Sequence, residues 1–228
     1  MKQFWKIGNL VLLLMVAAAF SSYGQPYVKA NHLTWSVIYD YKTMSPAVVY
    51  YTLQQSDFQG SINRKVKHFK MDYLLPPPHR RNSSFTFSGY QRGHLCPSGD
   101  RDSRLDWFKD TFFTSNIVPM TPELNAGAWR DIEIFCRGLA ESGHILKIAC
   151  GPVALDSAGA SNTYCSTLVP SSYWKLAVCV IHPEERFFWL VPNSHQRIYA
   201  ADCRHDLKSL STVMPSTIYK YIIVWLPR

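Results

Sequence analysis

The stretch that most restricts how this chain can fold begins at Thr121. Thr121 has an N-cap side chain. Pro122 suits the first helical position, where no amide hydrogen is needed, and Glu123 sets a negative charge against the positive end of the helix dipole. Apolar residues recur at Leu124, Ala128, Ile132, Phe135 and Leu139, the spacing of one helix face, and Gly143 is a C-terminal stop. At about 100° per residue, Asn125, Trp129 and Glu133 then fall on a stripe beside that face. The stripe borders the core, so its polar members are placed to meet a neighbouring strand or loop.

Strand-like runs cover Ala47–Leu53, Ile145–Cys150, Trp174–Ile181, Phe187–Val191 and Ile218–Leu226. Each is rich in β-branched and aromatic residues and bounded by Gly, Pro or Asn. Several strands with few helices predict an α+β domain. The 228 residues bound the chain to one domain or at most two, and 47% hydrophobic content with 14% aromatic excludes a disordered chain. Pro76-Pro77-Pro78 and the polar residues after it, including Arg80 and Arg81, read as a loop.

The first 24 residues read as a signal peptide, with an uncleaved membrane anchor as the alternative. Lys2 and Lys6 precede an apolar run, Leu10 to Phe20, too short to span a bilayer comfortably, and Ser22-Tyr23-Gly24 is a small-x-small cleavage site. Residues 25–228 are then a single mature domain, secreted or periplasmic, with no stable membrane association. The net charge of +8 becomes +6 once Lys2 and Lys6 are removed, so the basic character belongs to the folded part and favours a polyanionic partner. The six cysteines, at 96, 136, 150, 165, 179 and 203, all lie in the mature chain. Export permits disulfides, and sequence does not choose a pairing; buried free thiols are the alternative for some of the six. No C-x-x-C occurs, so a zinc site or a thioredoxin-type redox motif has little support in the sequence. Cys96, two residues from His94, reads as packing or a disulfide partner in preference to a nucleophile.

The residues that carry chemistry lie close together in sequence. Residues 90–101 read Tyr-Gln-Arg-Gly-His-Leu-Cys-Pro-Ser-Gly-Asp-Arg, Thr-Ser-Asn-Ile-Val-Pro follows at 114–119, and then comes the stripe of Asn125, Trp129 and Glu133. Cleaving a phosphodiester needs a deprotonated water, charge stabilisation at phosphorus and help for the leaving oxygen. His94 suits the first task, because imidazole titrates near neutrality. A divalent cation suits the others. Magnesium prefers oxygen ligands and keeps several waters, so the Asn125 amide can serve, with Glu133 holding the waters and Arg92 reaching a phosphate.

The segment 90–137 resembles the DNA/RNA non-specific endonuclease family, the ββα-metal nucleases that include mitochondrial endonuclease G. The family motif is Asp-Arg-Gly-His, a Ser-Asn-(Ile/Met)-x-Pro-Gln element, and Asn-x-x-x-Trp-x-x-x-Glu. This chain has Gln91-Arg92-Gly93-His94, Ser115-Asn116-Ile117-Val118-Pro119-Met120, and Asn125, Trp129 and Glu133 at the third element. Weaker likeness covers residues 45–192. The resemblance implies a ββα-metal core with a mixed or antiparallel sheet and flanking helices. It implies that His94 is the general base, that Asn125 binds Mg2+ (or Mn2+) directly, and that Glu133 orients metal waters. It also implies that Arg92 binds phosphate and Asn116 supports the site. Gln91 and Met120 depart from the motif's aspartate and glutamine. A further phosphate-binding arginine of the family lies upstream, where Arg64, Lys67 and His68 are the candidates.

The expectation is therefore a Mg2+-dependent endonuclease acting on DNA and RNA with little sequence preference and leaving 5′-phosphates, of open oligomeric state. The alternatives are a nucleic-acid-binding protein on a catalytically decayed nuclease scaffold, a secreted carbohydrate- or protein-binding domain, and a nuclease restricted to one nucleic acid.

Overall fold

The computed structural model describes residues 27–62, 68–77, 80, 89–153 and 169–227. The proposed leader, Arg64, Lys67, Arg81 and Cys165 lie outside the described residues. Nine strands occur among those described: β1 (Tyr27–Asn31), β2 (Trp35–Asp40), β3 (Ser45–Leu53), β4 (Gln91–His94), β5 (Ile117–Met120), β6 (Leu146–Pro152), β7 (Ser172–Cys179), β8 (Arg186–Pro192) and β9 (Arg204–His205). Seven of them make one sheet, in the order β1-β2-β3-β6-β7-β8-β9, and β4 and β5 form a separate ribbon. Every ladder is antiparallel.

Successive strand side chains point to opposite faces, so the large sheet serves two cores. In β3, Val49, Tyr51 and Leu53 enter one core while Val48 and Tyr50 enter the other. The first core is closed by helices α2 (Pro122–Ala126) and α3 (Ala128–Glu141), which contribute Leu124, Ala128, Trp129, Ile132, Cys136 and Ala140. The second is closed by the C-terminal helices α4 (Leu210–Val213) and α5 (Ser216–Trp225), through Leu210, Val213, Ile218 and Ile222. Helix α1 is a short turn of helix at Leu105–Asp110. The α+β expectation holds, with helices layered on both faces of an antiparallel sheet.

Four of the five expected strand runs coincide with β3, β6, β7 and β8, with Ile145 lying just before β6 and Val180 and Ile181 just after β7. The fifth, Ile218–Leu226, is instead helix α5. Its β-branched residues favour a strand locally, but Ile218 and Ile222 are one helical turn apart and both are buried against the sheet, while Tyr221 and Val224 face outward. Burial of that stripe outweighs the local preference.

The helix after Thr121 exists, but in two pieces. Thr121 Oγ1 accepts the Leu124 amide at 3.2 Å, as an N-cap should. The chain then breaks at Gly127, where a Cβ atom would stand 2.3 Å from the Glu123 carbonyl oxygen, so only glycine permits the approach. Gly143, at φ +97, ends α3 as expected. Two details of the expected stripe change. Trp129 is fully buried, not bordering the core, and Phe135 is partly exposed, packing edge-on against Phe187 and Trp189.

The expected disulfides do not form among the described cysteines. Cys96, Cys136, Cys150, Cys179 and Cys203 are all buried free thiols. Burial pushes the thiols of Cys136 and Cys150 up to about 12 and raises Cys96 further, so these three stay protonated and act as packing groups.

A buried polar contact fastens the first strands to the ribbon region. His32 stacks on Trp35 at 3.8 Å, and its Nε2 lies 3.1 Å from Asp72 and its Nδ1 3.6 Å from Asp110. Burial alone would lower the imidazole pKa, but the Asp110 and Asp72 carboxylates, by their close approach and their charge, outweigh it and raise it above 6.5. Burial likewise pushes Asp72 upward, and its bonds to His32 and Ser115 carry it below 3.8. The signs define a window. The His32 contribution is complete below pH 6.5 and is lost as pH rises through the folded-state value; that of Asp72 is present above 3.8 and is lost as pH falls through its depressed value. Urea midpoints measured from pH 5 to pH 9 should therefore decline on the alkaline side, and His32→Asn should remove that decline; an identical pH profile in the variant would contradict it.

Candidate active site

The ribbon supplies one wall of the site. Gln91 pairs with Met120 and His94 with Ile117. Residues two apart on a strand share a face, so Arg92 and His94 point to one side while Gln91 and Gly93 point to the other. At Gly93 the ribbon is tightly packed: a Cβ atom there would lie 2.5 Å from Met120 Sδ, so a larger residue would have to displace that side chain. Met120, which departs from the family's glutamine, is itself fully buried, so it serves as packing beneath the ribbon.

His94 is held from several directions. Its ring meets Phe112 edge-on at 4.8 Å and Phe69 at 5.9 Å. Its carbonyl accepts the indole N–H of Trp129 at 3.1 Å, which ties the strand end to α3. The turn after it is clamped by Asn116, fully buried. Asn116 Oδ1 accepts the Cys96 amide, and its Nδ2 donates to the carbonyls of Cys96 and Thr111, each at 2.8 Å. Asn116 thus acts through the backbone around His94 and does not face the cavity.

Asn125 sits on α2, just before the break at Gly127. Its Nδ2 donates to Gln91 Oε1 at 2.7 Å. That bond orients the amide and leaves Oδ1 as the group available to a cation. Gln91, the other departure from the family motif, retains the oxygen acceptor that this contact uses.

His94, Asn125 and Glu133 line one cavity of about 260 Å3, together with Arg130, Arg137 and the Pro97-Ser98-Gly99 turn. Glu133 faces it from α3, with Oε1 4.0 Å from Lys175 Nζ. Lys175, on β7, is buried with its ammonium 4.1 Å over the Trp129 ring. Arg137 Nη1 bonds Asp100 at 2.6 Å. Burial would lower the Arg137 pKa, but the charge and hydrogen bond of Asp100 raise it, so its cation is permanent. The oxygen donors are one amide and one carboxylate, with the His94 imidazole beside them. So few charged ligands suit a small hard cation that keeps most of its waters, and the residues present fit Mg2+ on that ground.

Other expected residues lie elsewhere. Arg92 is outside the cavity lining and stacks on Phe69 at 4.0 Å, beside His94. Arg80 bonds the carbonyls of Leu75 and Tyr73, folding back on its own segment, so it is not a free phosphate contact. Sequence reasoning missed Arg130, Arg137 and Lys175. Arg137 continues the Asn125, Trp129, Glu133 series by four residues, and a lysine inside the apolar run from Trp174 was a visible anomaly.

A sequence model described as DNA/RNA non-specific endonuclease matches residues 15–218. Nuclease EXOG, mitochondrial, of Danio rerio is 35% identical over 124 residues, 54% of this chain and 35% of that protein. A nuclease of a Nostoc species is 31% identical over 66% of this chain and 54% of that protein. The chain thus spans about a third to a half of the length of these relatives. A chain of the EndoG/EndoGI complex superposes with a TM-score of 0.70 at 21% identity, covering 84% of this chain and 86% of that one, which shows the ββα-metal fold.

The Gln91–Asn125 bond generates a prediction. Gln91→Ala should free the Asn125 amide to rotate and weaken Mg2+ binding at this cavity by about 10–100-fold in a calorimetric titration, the usual effect of removing a contact behind a metal ligand. Gln91→Asn, which keeps an acceptor on a shorter arm, should fall between. A Mg2+ affinity unchanged in Gln91→Ala would show that the bond does not orient the Asn125 amide.

Proposed function

The chain belongs to the DNA/RNA non-specific endonuclease family, and from that footing we propose that it is a divalent-metal-dependent endonuclease that hydrolyses DNA and RNA with little sequence preference and leaves 5′-phosphates. The observation that carries this reading is that His94, Asn125 and Glu133, from three separate elements, line one cavity whose remaining charged side chains are the cations Arg130 and Arg137.

His94 takes a proton from the attacking water. Oxygen attacks phosphorus, the bond to the 3′ oxygen breaks, and the phosphate stays on the 5′ side. Magnesium, held by Asn125 with Glu133 orienting its waters, would supply Lewis-acid stabilisation of the phosphate and the leaving oxygen. Lys175 limits the negative charge that Glu133 presents to an incoming phosphate. Arg130 and Arg137 place positive charge where the backbone must lie. Contacts of this kind carry no base information, which favours broad specificity. The decayed-scaffold alternative loses ground, because Gln91 keeps the acceptor role toward Asn125 and Met120 is absorbed in packing.

Export is part of the proposal and rests on the leader residues Lys2, Lys6, Leu10 to Phe20 and Ser22-Tyr23-Gly24. No helix among the described residues is long and apolar enough to cross a membrane. N-terminal sequencing of the protein recovered from medium or periplasm should read from Gln25; recovery of the intact leader in the cytoplasm would refute export.

Purified residues 25–228 should nick supercoiled DNA and degrade RNA with magnesium present, and EDTA should abolish both. His94→Ala should lower the rate by about 10²–10⁴-fold, the range for a general base. Asn125→Ala should raise the magnesium requirement more than Glu133→Ala does. Activity resistant to EDTA, or His94→Ala above half of normal, would overturn the mechanism.

A further inference from the structure

A second group of ligating side chains lies at the far end of α3. This helix has 14 residues and starts at the active site, so its C-terminus is about 20 Å away. His144 follows the Gly143 stop, Cys179 ends β7, and Glu185 lies in the β7–β8 hairpin just before β8. The imidazole, the thiol and the carboxylate each offer an atom within 4.8 Å of the other two. We propose that His144, Cys179 and Glu185 form a binding site for a divalent cation of zinc type, which fastens the β7–β8 hairpin to the end of α3.

The ligand chemistry selects the class of ion. A thiolate with an imidazole suits zinc and disfavours magnesium and calcium, which want oxygen ligands. Three protein ligands with water in the fourth position is a familiar tetrahedral arrangement. Bonds of about 2.0–2.3 Å put neighbouring ligand atoms of a tetrahedron about 3.3–3.8 Å apart. His144 Nε2 and Glu185 Oε2 are already 3.2 Å apart.

The orientation of His144 supports the proposal independently. Its Nδ1 lies 3.0 Å from the Leu139 carbonyl oxygen, which can only accept, so Nδ1 carries a proton. In a neutral ring Nε2 then presents a lone pair to a carboxylate oxygen, a repulsion that either a proton or a metal ion between them relieves. A backbone acceptor behind one ring nitrogen and a cation at the other is the usual setting of a metal-binding histidine. Cys179 is buried directly behind this pair, and its thiol proton passes to solvent when the ion binds. The backbone already holds the parts in place: the Cys179 amide donates to the Glu185 carbonyl at 3.0 Å, and the His144 amide to the Leu139 carbonyl at 3.1 Å.

Cobalt(II) reports on the site without any measurement of activity. Chelator-stripped protein titrated with Co2+ should develop a thiolate-to-cobalt charge-transfer band that saturates at one equivalent and is displaced by Zn2+. The band should persist in Asn125→Ala, which removes the active-site ligand, and vanish in Cys179→Ser. Glu185→Gln and His144→Asn, both at partly exposed positions, should each weaken Co2+ binding by about tenfold or more. These two variants decide the matter if Cys179→Ser fails to fold. Absence of the band at millimolar Co2+ would overturn the proposal and leave a proton-bridged His144–Glu185 pair. So would a band retained in folded Cys179→Ser, or affinity unchanged in both other variants.

Discussion

The Asp100-Arg101 pair joins the parts of this molecule that would otherwise be independent. Arg101 is 1% exposed, yet its guanidinium donates to Asp57 and to the carbonyls of Asp100, Thr34 and Thr52, and it stacks on Tyr51. Asp100 accepts from Tyr51 of the sheet and from Arg137 of α3. Two adjacent residues thus tie Thr34 at the entry to β2, β3, the helical turn at Gln55–Asp57 and the long helix to the loop that follows His94. A buried charge is tolerated only when partners satisfy it, and removing one partner of such a set costs about 3–5 kcal/mol. The cavity walls are set by the same knot, since Arg137 is both its member and a lining residue.

The chemistry of the site is adjusted by what stands behind each group. Glu133 has Lys175, His94 has Phe112 and the Trp129 indole, and Asn125 has Gln91. Trp129 serves twice, donating to the His94 carbonyl and presenting its face to the Lys175 ammonium. A side chain chosen for bulk alone would perform neither task.

Much of this was legible in residue spacing. The Thr121 cap, the Gly143 stop and the common stripe of Asn125 and Glu133 follow from local rules, because caps, turns and i, i+4 spacing act over a few residues, whereas the pairing of distant His94 with them was legible only through the family resemblance. What failed depends on distant partners. Ile218 to Leu226 reads as a strand until the second face of the sheet is there to receive Ile218 and Ile222. The break at Gly127 was hidden because the apolar spacing runs through it unbroken. The cysteines invited disulfides, since composition says nothing about whether thiols meet. The burial of Lys175 beneath Glu133 required knowing which strand packs under the helix, information that no local pattern holds.

The sheet order carries a consequence for assembly. Strands β3 and β6 are neighbours, with Leu53 opposite Leu146, yet the ribbon, Asp100-Arg101 and α3 all lie in the chain between them. The catalytic unit is therefore one long excursion from the middle of a sheet. The entropy of closing such a loop grows only with the logarithm of its length, so insertions within it cost little at equilibrium. Kinetically the excursion is less forgiving. The two halves of the sheet, β1 to β3 and β6 to β9, can each zip from sequential strands, but their union waits for the excursion to collapse. Maturation of the catalytic unit and closure of the sheet are on this view a single late event, so a chain caught before it would hold two half-sheets and no working site.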